Sequence, residues 1–164
     1  YGLSMTALQL AQAYAVIGSG GIKRQVTLLK QAEPSIGVRV MDEKVAWQVL
    51  SMLETVTGKT GTGSKAAVPG YSVGGKTGTV HKTGAGGYAD HEYIALFAGV
   101  APVTNPKIAM VVVIDGPKGD QYYGGQVAAP VFSKVMSELL RLKNVPPDSA
   151  QWAGLQGFVS PGEG

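Results

Sequence analysis

Lys-Thr-Gly-Thr occurs twice in this chain of 164 residues, at Lys59–Thr62 and at Lys76–Thr79. In an extended strand the side chains alternate, so Thr77 and Thr79 share one side and offer two hydroxyl donors, while the lysine adds a cation suited to a carboxylate. Gly78 has no side chain, which leaves the backbone open to close approach by a substrate or a catalytic serine. The next N–H along, at Thr79, is a donor for an oxygen that develops negative charge. Only one copy is expected to be the site. The first follows a helix end and falls in a Gly-rich turn, whereas the second follows Gly70-Tyr71-Ser72-Val73 and leads into a run of strands, so Lys76 is the stronger candidate. From Thr55 to Ala89 stand Lys59, Lys65, Lys76 and Lys82 without one acid. That excess suits a small anion, though loops that merely collect lysines would look the same.

Two other patterns carry less. Gly70 to Thr77 satisfies the P-loop spacing, and Ile108 to Asp115 has the look of an apolar strand ending in a magnesium-binding acid. A phosphate site of that kind needs a strand before the loop and a helix after it. Pro69 stands where the strand belongs, and Thr79-Val80-His81-Lys82 followed by three glycines in five residues does not favour a helix. Asp90-His91-Glu92 with His81 offers metal-ligand types, but consecutive strand residues point to opposite faces, so a polar strand end is the simpler reading and no metal is expected.

The elements that must position these residues follow from spacing. Thr6-Ala7-Leu8-Gln9 has the capping-box pattern and opens a helix with Leu10, Ala11, Tyr14 and Ala15 as its apolar residues, ended by Ser19-Gly20-Gly21. Asp42 caps a second helix whose stripe is Val45, Val49, Leu53 and Val56, closed by Gly58. Val26–Leu29 and Val38–Val40 read as short strands or extended connectors. Three strands follow, near residues 72–82, 93–101 and 107–115, with connections short enough for an antiparallel meander. Val127, Val131, Val135 and Leu139, beside Phe132, Met136 and Leu140, mark an amphipathic helix from about Pro130 that should cover one face of the sheet. Beyond Val145-Pro146-Pro147 the tail is Gly/Pro-rich, with Trp152 and Phe158 isolated, and is expected to be loosely held. Helices before and after an antiparallel sheet make the fold α+β.

Composition sets the outer bounds. Charged residues are 15% and hydrophobic ones 45%, which excludes a highly charged disordered chain. The net charge of +3 comes from scattered cations, so nucleic acid is not indicated. Zero cysteines removes disulfides, thiol nucleophiles and cysteine-bound metals. The longest apolar run, Ile108 to Ile114, is far short of the ~20 residues of a membrane helix. The chain opens on Tyr1 rather than Met, and a targeting or anchoring segment is expected upstream.

Four stretches then carry a resemblance: Gly2–Ala11, Val68–Thr79, Phe97–Pro102 and Tyr122–Phe132. In order and spacing, across about residues 1–144, they resemble the transpeptidase domain of class B penicillin-binding proteins, and Ile114-Asp115-Gly116-Pro117 through the double tyrosine looks most like the division type. Residues 145–164 would be a Pro/Gly-rich tail. The resemblance implies the penicillin-binding protein and serine β-lactamase-like fold, an antiparallel sheet flanked by helices, and a D,D-transpeptidase that joins peptidoglycan stem peptides and is acylated by β-lactam antibiotics. No cofactor is implied. By position, Lys76 would polarise the site, the Thr77 and Thr79 hydroxyls would bind the terminal carboxylate, the Thr79 N–H would complete an oxyanion hole beside Gly78, and Tyr122 and Tyr123 would wall the cleft. None of the ten serines lies in Ser-x-x-Lys or Ser-x-Asn. Nucleophile, base and second motif are therefore expected in an upstream part of the same domain, anchored on the periplasmic face of the inner membrane, with a glycan polymerase and division proteins as further partners. A binding or scaffold module without a nucleophile, a β-lactamase built around Lys59–Gly63, and a P-loop nucleotide binder are the alternatives.

Overall fold

The computed structural model describes residues 4–33, 35–84 and 87–148, with the side chains of residues 83–91 excepted. The first helix, α1 (Ala7–Gly18), starts at the expected capping box: the Thr6 hydroxyl accepts from the Gln9 N–H, and the Gln9 side chain accepts from the Thr6 N–H. A two-residue ribbon follows, β1 (Ile22–Lys23) antiparallel to β2 (Val38–Arg39). Val26–Leu29 is not a strand. Among the described residues Val38 and Arg39 pair with Ile22 and Lys23 instead, and Leu28 and Leu29 are left exposed.

Helix α2 (Glu43–Thr57) is capped by Asp42, whose carboxylate accepts from the Lys44 and Val45 N–H groups, and it closes at Gly58 as expected. Its buried face is centred on Ala46 and Leu50, while Val45 is exposed, so the predicted stripe is displaced by about one residue. A tight 3-10 turn, Ser64–Ala66, leads toward the sheet.

The meander is present, with the middle strand longer than the sequence marks and the first shifted by two residues: β3 (Gly74–Gly84), β4 (Gly87–Ala101) and β5 (Ile108–Asp115), in spatial order β3-β4-β5, all antiparallel. Thr77 pairs with Phe97 and Phe97 with Val112, so these three share a face; Gly74 and Val100 lie on the other. Gly18 of α1 approaches Val100 and Leu50 of α2 approaches Gly74, which puts both helices on the Val100 face. A short helix α3 (Gly124–Val127) and the long α4 (Ala129–Leu142) cover the Phe97 face.

Phe132, Met136 and Leu140 of α4 are fully buried there with Phe97, each worth ~1.5–3 kcal/mol of hydrophobic stabilisation. The Phe97 and Phe132 rings meet edge to face at 4.7 Å. Val131 and Val135, in the row the sequence favours, are exposed at the flank. The buried row, Ala128, Phe132, Met136 and Leu140, runs at four-residue spacing one position on from the Val127 row and sets the large Phe132 and Met136 side chains against the core.

After α4 the chain turns back rather than away. The Tyr71 hydroxyl donates to the Val145 carbonyl at 2.6 Å, and the Asp148 N–H donates to the Gly70 carbonyl at 3.0 Å. The Asp148 carboxylate accepts from the Ser72 N–H and hydroxyl and from the Thr104 hydroxyl. Residues 145–148 are therefore pinned; of the segment expected to be loose only Asp148 is described, and it is held, while Trp152 and Phe158 lie outside the described residues.

Candidate active site

Strand β3 pairs only with β4, so among the described strands its other edge is open along Lys76–Thr79. Lys76 and Thr77 leave opposite faces, as neighbours on a strand must. The Lys76 side chain nevertheless ends at its neighbour: its ammonium donates to the Thr77 carbonyl at 3.2 Å and to the Thr77 hydroxyl at 3.1 Å. It is exposed and wraps the open edge.

Thr77 and Thr79 face a cleft of about 450 Å³, whose walls also include Thr62, Lys65, Tyr123 and Gln126. The first Lys-Thr-Gly-Thr thus contributes a residue after all. Thr62 Oγ1 lies 3.3 Å from Thr77 Oγ1, so the last threonine of one copy meets the first threonine of the other. Sequence reasoning set Thr62 aside by treating the copies as rivals; the repeat itself was the signal.

Gly78 is not among the residues that line this cleft. A Cβ built on it would lie 2.8 Å from Leu96 Cγ, and the Gly124 backbone closes on its N and O. The missing side chain makes room for the chain's own packing. A Cβ on Gly124 would collide with the carbonyl oxygens of Leu96 and Gly78, and one on Gly125 with that of Thr62. The two glycines let α3 lie directly on the sheet. The Gly124 N–H then donates to Thr79 Oγ1 at 3.1 Å, which orients that hydroxyl and sets Tyr123 at the cleft.

The two tyrosines divide the work expected of both. Tyr123 lines the cleft and is half exposed, whereas Tyr122 stacks at 4.1 Å on Tyr93 and lies 4.4 Å from the Tyr123 ring. Tyr93 in turn lies 4.3 Å from the His81 ring, its neighbour in the β3–β4 register. Tyr93 and His81 support the wall, and nothing in their local sequence marks them for it.

The lysine-rich run divides similarly. Lys82 is paired with Asp115 and Glu92 across the three strands, and the Asp115 carboxylate holds its ammonium above the usual lysine range. Lys65 stays at the cleft, and Lys59 is not among its walls. No phosphate loop forms: Gly70 to Thr77 has no strand before it, and Thr77 lies in β3 instead of opening a helix. Among the described residues no cluster of acids and histidines is placed to hold a metal; the side chains of Asp90 and His91 lie outside them.

This arrangement can hold a carboxylate: three threonine hydroxyls, one from a loop and two from a strand, with cations at the edge and at the wall, and no acid in the lining. Among the described residues that line the cleft there is no activated nucleophile.

Comparison with known proteins agrees with the geometry. Residues 1–137 match the family model described as the penicillin binding protein transpeptidase domain. The peptidoglycan D,D-transpeptidase FtsI of Escherichia coli strain K12 is 46% identical over 165 residues, covering all of this chain and 28% of the relative. The probable peptidoglycan D,D-transpeptidase PenA of Neisseria flavescens is 43% identical over 90% of this chain and 37% of its own length. Among solved structures, the transpeptidase domain of penicillin-binding protein 3 from Burkholderia pseudomallei superposes with a TM-score of 0.84 at 45% identity, covering 91% of this chain and 46% of that one. The chain therefore spans about a quarter to a third of the length of these curated relatives.

Proposed function

Because the chain belongs to the penicillin-binding protein transpeptidase domain family, we propose that it supplies the C-terminal half of the active site of a peptidoglycan D,D-transpeptidase, with the nucleophile provided by upstream residues. The observation that carries this reading is the gathering of the Lys76 ammonium and the Thr77 and Thr79 hydroxyls at the open edge of β3. A serine on an adjoining element can reach that edge. Its hydroxyl adds to the carbonyl of the penultimate D-Ala, losing its proton to a neighbouring base. The tetrahedral oxyanion is held by the Thr79 N–H, and D-Ala departs as the protonated amine. A stem-peptide amine then takes the acyl group and frees the serine. Thr77 and Thr79 grip the terminal carboxylate, Lys76 biases the site toward negative charge, and Tyr122 backs Tyr123 at the wall.

β-Lactams acylate the same serine in this reading, septal wall synthesis is the setting, and the site lies on the periplasmic side of the inner membrane. Among the described residues no helix is long and apolar enough to cross a membrane; the family resemblance is what assigns an anchor to upstream residues in this reading. A glycan polymerase and other division proteins are the partners.

Fluorescent penicillin tests it. Joined to upstream residues carrying Ser-x-x-Lys and Ser-x-Asn, the domain forms a covalent adduct, and residues 1–164 alone form none. A joined, folded domain that stays unlabelled would overturn the assignment.

A further inference from the structure

The geometry points to Lys65 as a second cation of the cleft, one that draws the carboxylate of the acyl donor onto the Thr62, Thr77 and Thr79 hydroxyls; this rests on the transpeptidase reading above. Lys65 lies in the 3-10 turn between the two Lys-Thr-Gly-Thr copies and lines the same cleft as those three threonines.

The turn that carries it is anchored on every side. The Gly63 N–H donates to the Val56 carbonyl at 2.9 Å, and the Ala66 N–H to the Gly63 carbonyl at 2.8 Å. Ala66 is fully buried, and the Ser133 hydroxyl of α4 donates to the Ala67 carbonyl at 2.6 Å. A Cβ on Gly63 would lie 2.8 Å from the Phe97 ring, so the turn is seated on the core. The exposed Lys65 side chain thus springs from a fixed base at the cleft, so that binding need order only the side chain and not the turn.

The other lysines of the acid-free run are committed differently. Lys76 is bonded to Thr77, Lys82 is neutralised by Asp115 and Glu92, and Lys59 does not line the cleft. Among the described residues no acid pairs with Lys65, and no acid lines the cleft. Its charge is therefore available to an incoming anion, and an unopposed cation beside oriented hydroxyl donors favours a carboxylate over a neutral group.

The test measures second-order acylation of the complete domain by benzylpenicillin and by its methyl ester, which lacks the free carboxylate. Lys65→Gln is expected to slow the free acid about 5- to 20-fold and the ester less than about 2-fold, with Lys65→Arg close to wild type on both. Added salt should slow wild type toward the Lys65→Gln value on the free acid. Lys59→Gln, from the same lysine-rich run, serves as the surface control. Equal losses on both probes would make Lys65 a structural residue, and no loss on the free acid would remove it from recognition; either overturns the inference. A wild-type domain that neither probe acylates would instead fail the transpeptidase reading itself.

Discussion

Thr62 Oγ1 and Thr77 Oγ1 sit 3.3 Å apart, joining two copies of one tetrapeptide that are 17 residues apart in the chain. The contact fixes where the Thr77 hydroxyl points while the Lys76 ammonium holds it from the other side. Thr62→Val keeps the shape and removes the partner, so carboxylate-bearing β-lactams should acylate the complete domain about 3- to 10-fold more slowly. Thr62→Ser should restore most of the rate. Stopped-flow acylation of the pair checks this, and a Thr62→Val domain at wild-type rate would deny Thr62 a part in the site.

Lys76 and Lys59 occupy the same place in their tetrapeptides but not in the fold. Lys76→Ala should lower acylation by about 10²–10³, the usual loss for an oriented donor at a reacting centre. Lys59→Ala should stay within a few-fold. Equal effects would mean that the wrong copy has been chosen.

Thr79 has two tasks on one side chain, accepting the Gly124 N–H and facing the cleft. Thr79→Val leaves the Gly124 N–H without its acceptor and removes a donor for the substrate, each worth roughly 0.5–1.5 kcal/mol. Acylation should slow and the melting temperature fall together. Loss of rate without any thermal shift would show that the Gly124 contact contributes nothing to stability.

Gly124→Ala should destabilise the domain by about 1–3 kcal/mol, because its methyl group meets the Leu96 and Gly78 carbonyl oxygens, which are backbone and cannot swing aside. Since α3 carries Tyr123 at its start, the cleft wall should shift with it. Chemical denaturation reads the first effect. A variant as stable as wild type would mean that α3 is free to lift from the sheet.

Asp148 carries the pH dependence. Burial alone would raise its carboxyl, but the hydrogen bonds from the Ser72 hydroxyl, the Thr104 hydroxyl and the Ser72 N–H outweigh burial and hold it below the usual carboxylate range. A depressed folded value stabilises the fold above the unfolded value of about 3.9 and ceases to do so as the pH falls through the folded one. Asp148→Asn should therefore melt below wild type at pH 7, by roughly 0.5–1.5 kcal/mol, with the gap closing in acid below about pH 4. A gap unchanged from pH 7 to pH 3 would contradict the assignment.

Local signals read well from the sequence. Thr6, Asp42 and Gly58 act within one turn of themselves, so the ends of α1 and α2 are legible without the rest of the fold. The strand order of the meander is legible because its connections are short. Facing is harder. Val131 and Val135 look as apolar as Phe132 and Met136, and only the packing of α4 on the sheet decides which row meets Phe97. Val26–Leu29 has strand-forming residues but no partner, and pairing rather than propensity makes a strand. At the site, Lys76, Thr77 and Thr79 are visible as a motif. Thr62, Lys65, Tyr93 and Gly124 depend on register and on long-range packing, which no spacing within the motif contains.

The open edge of β3 has a cost outside chemistry. Unpaired N–H and C=O groups along a strand are a template on which another copy can zip, and a positive charge at the rim is a common defence. Lys76, folded over that rim, sets its ammonium where a second β3 would have to lie, so that two copies meeting edge to edge bring cation against cation. In the proposed reading, the residue that biases the site toward carboxylates would also oppose edge-to-edge pairing of two copies of residues 1–164. In that chain by itself, Lys76→Ala should scatter light at concentrations where wild type stays clear, an effect that calls on no substrate and no nucleophile.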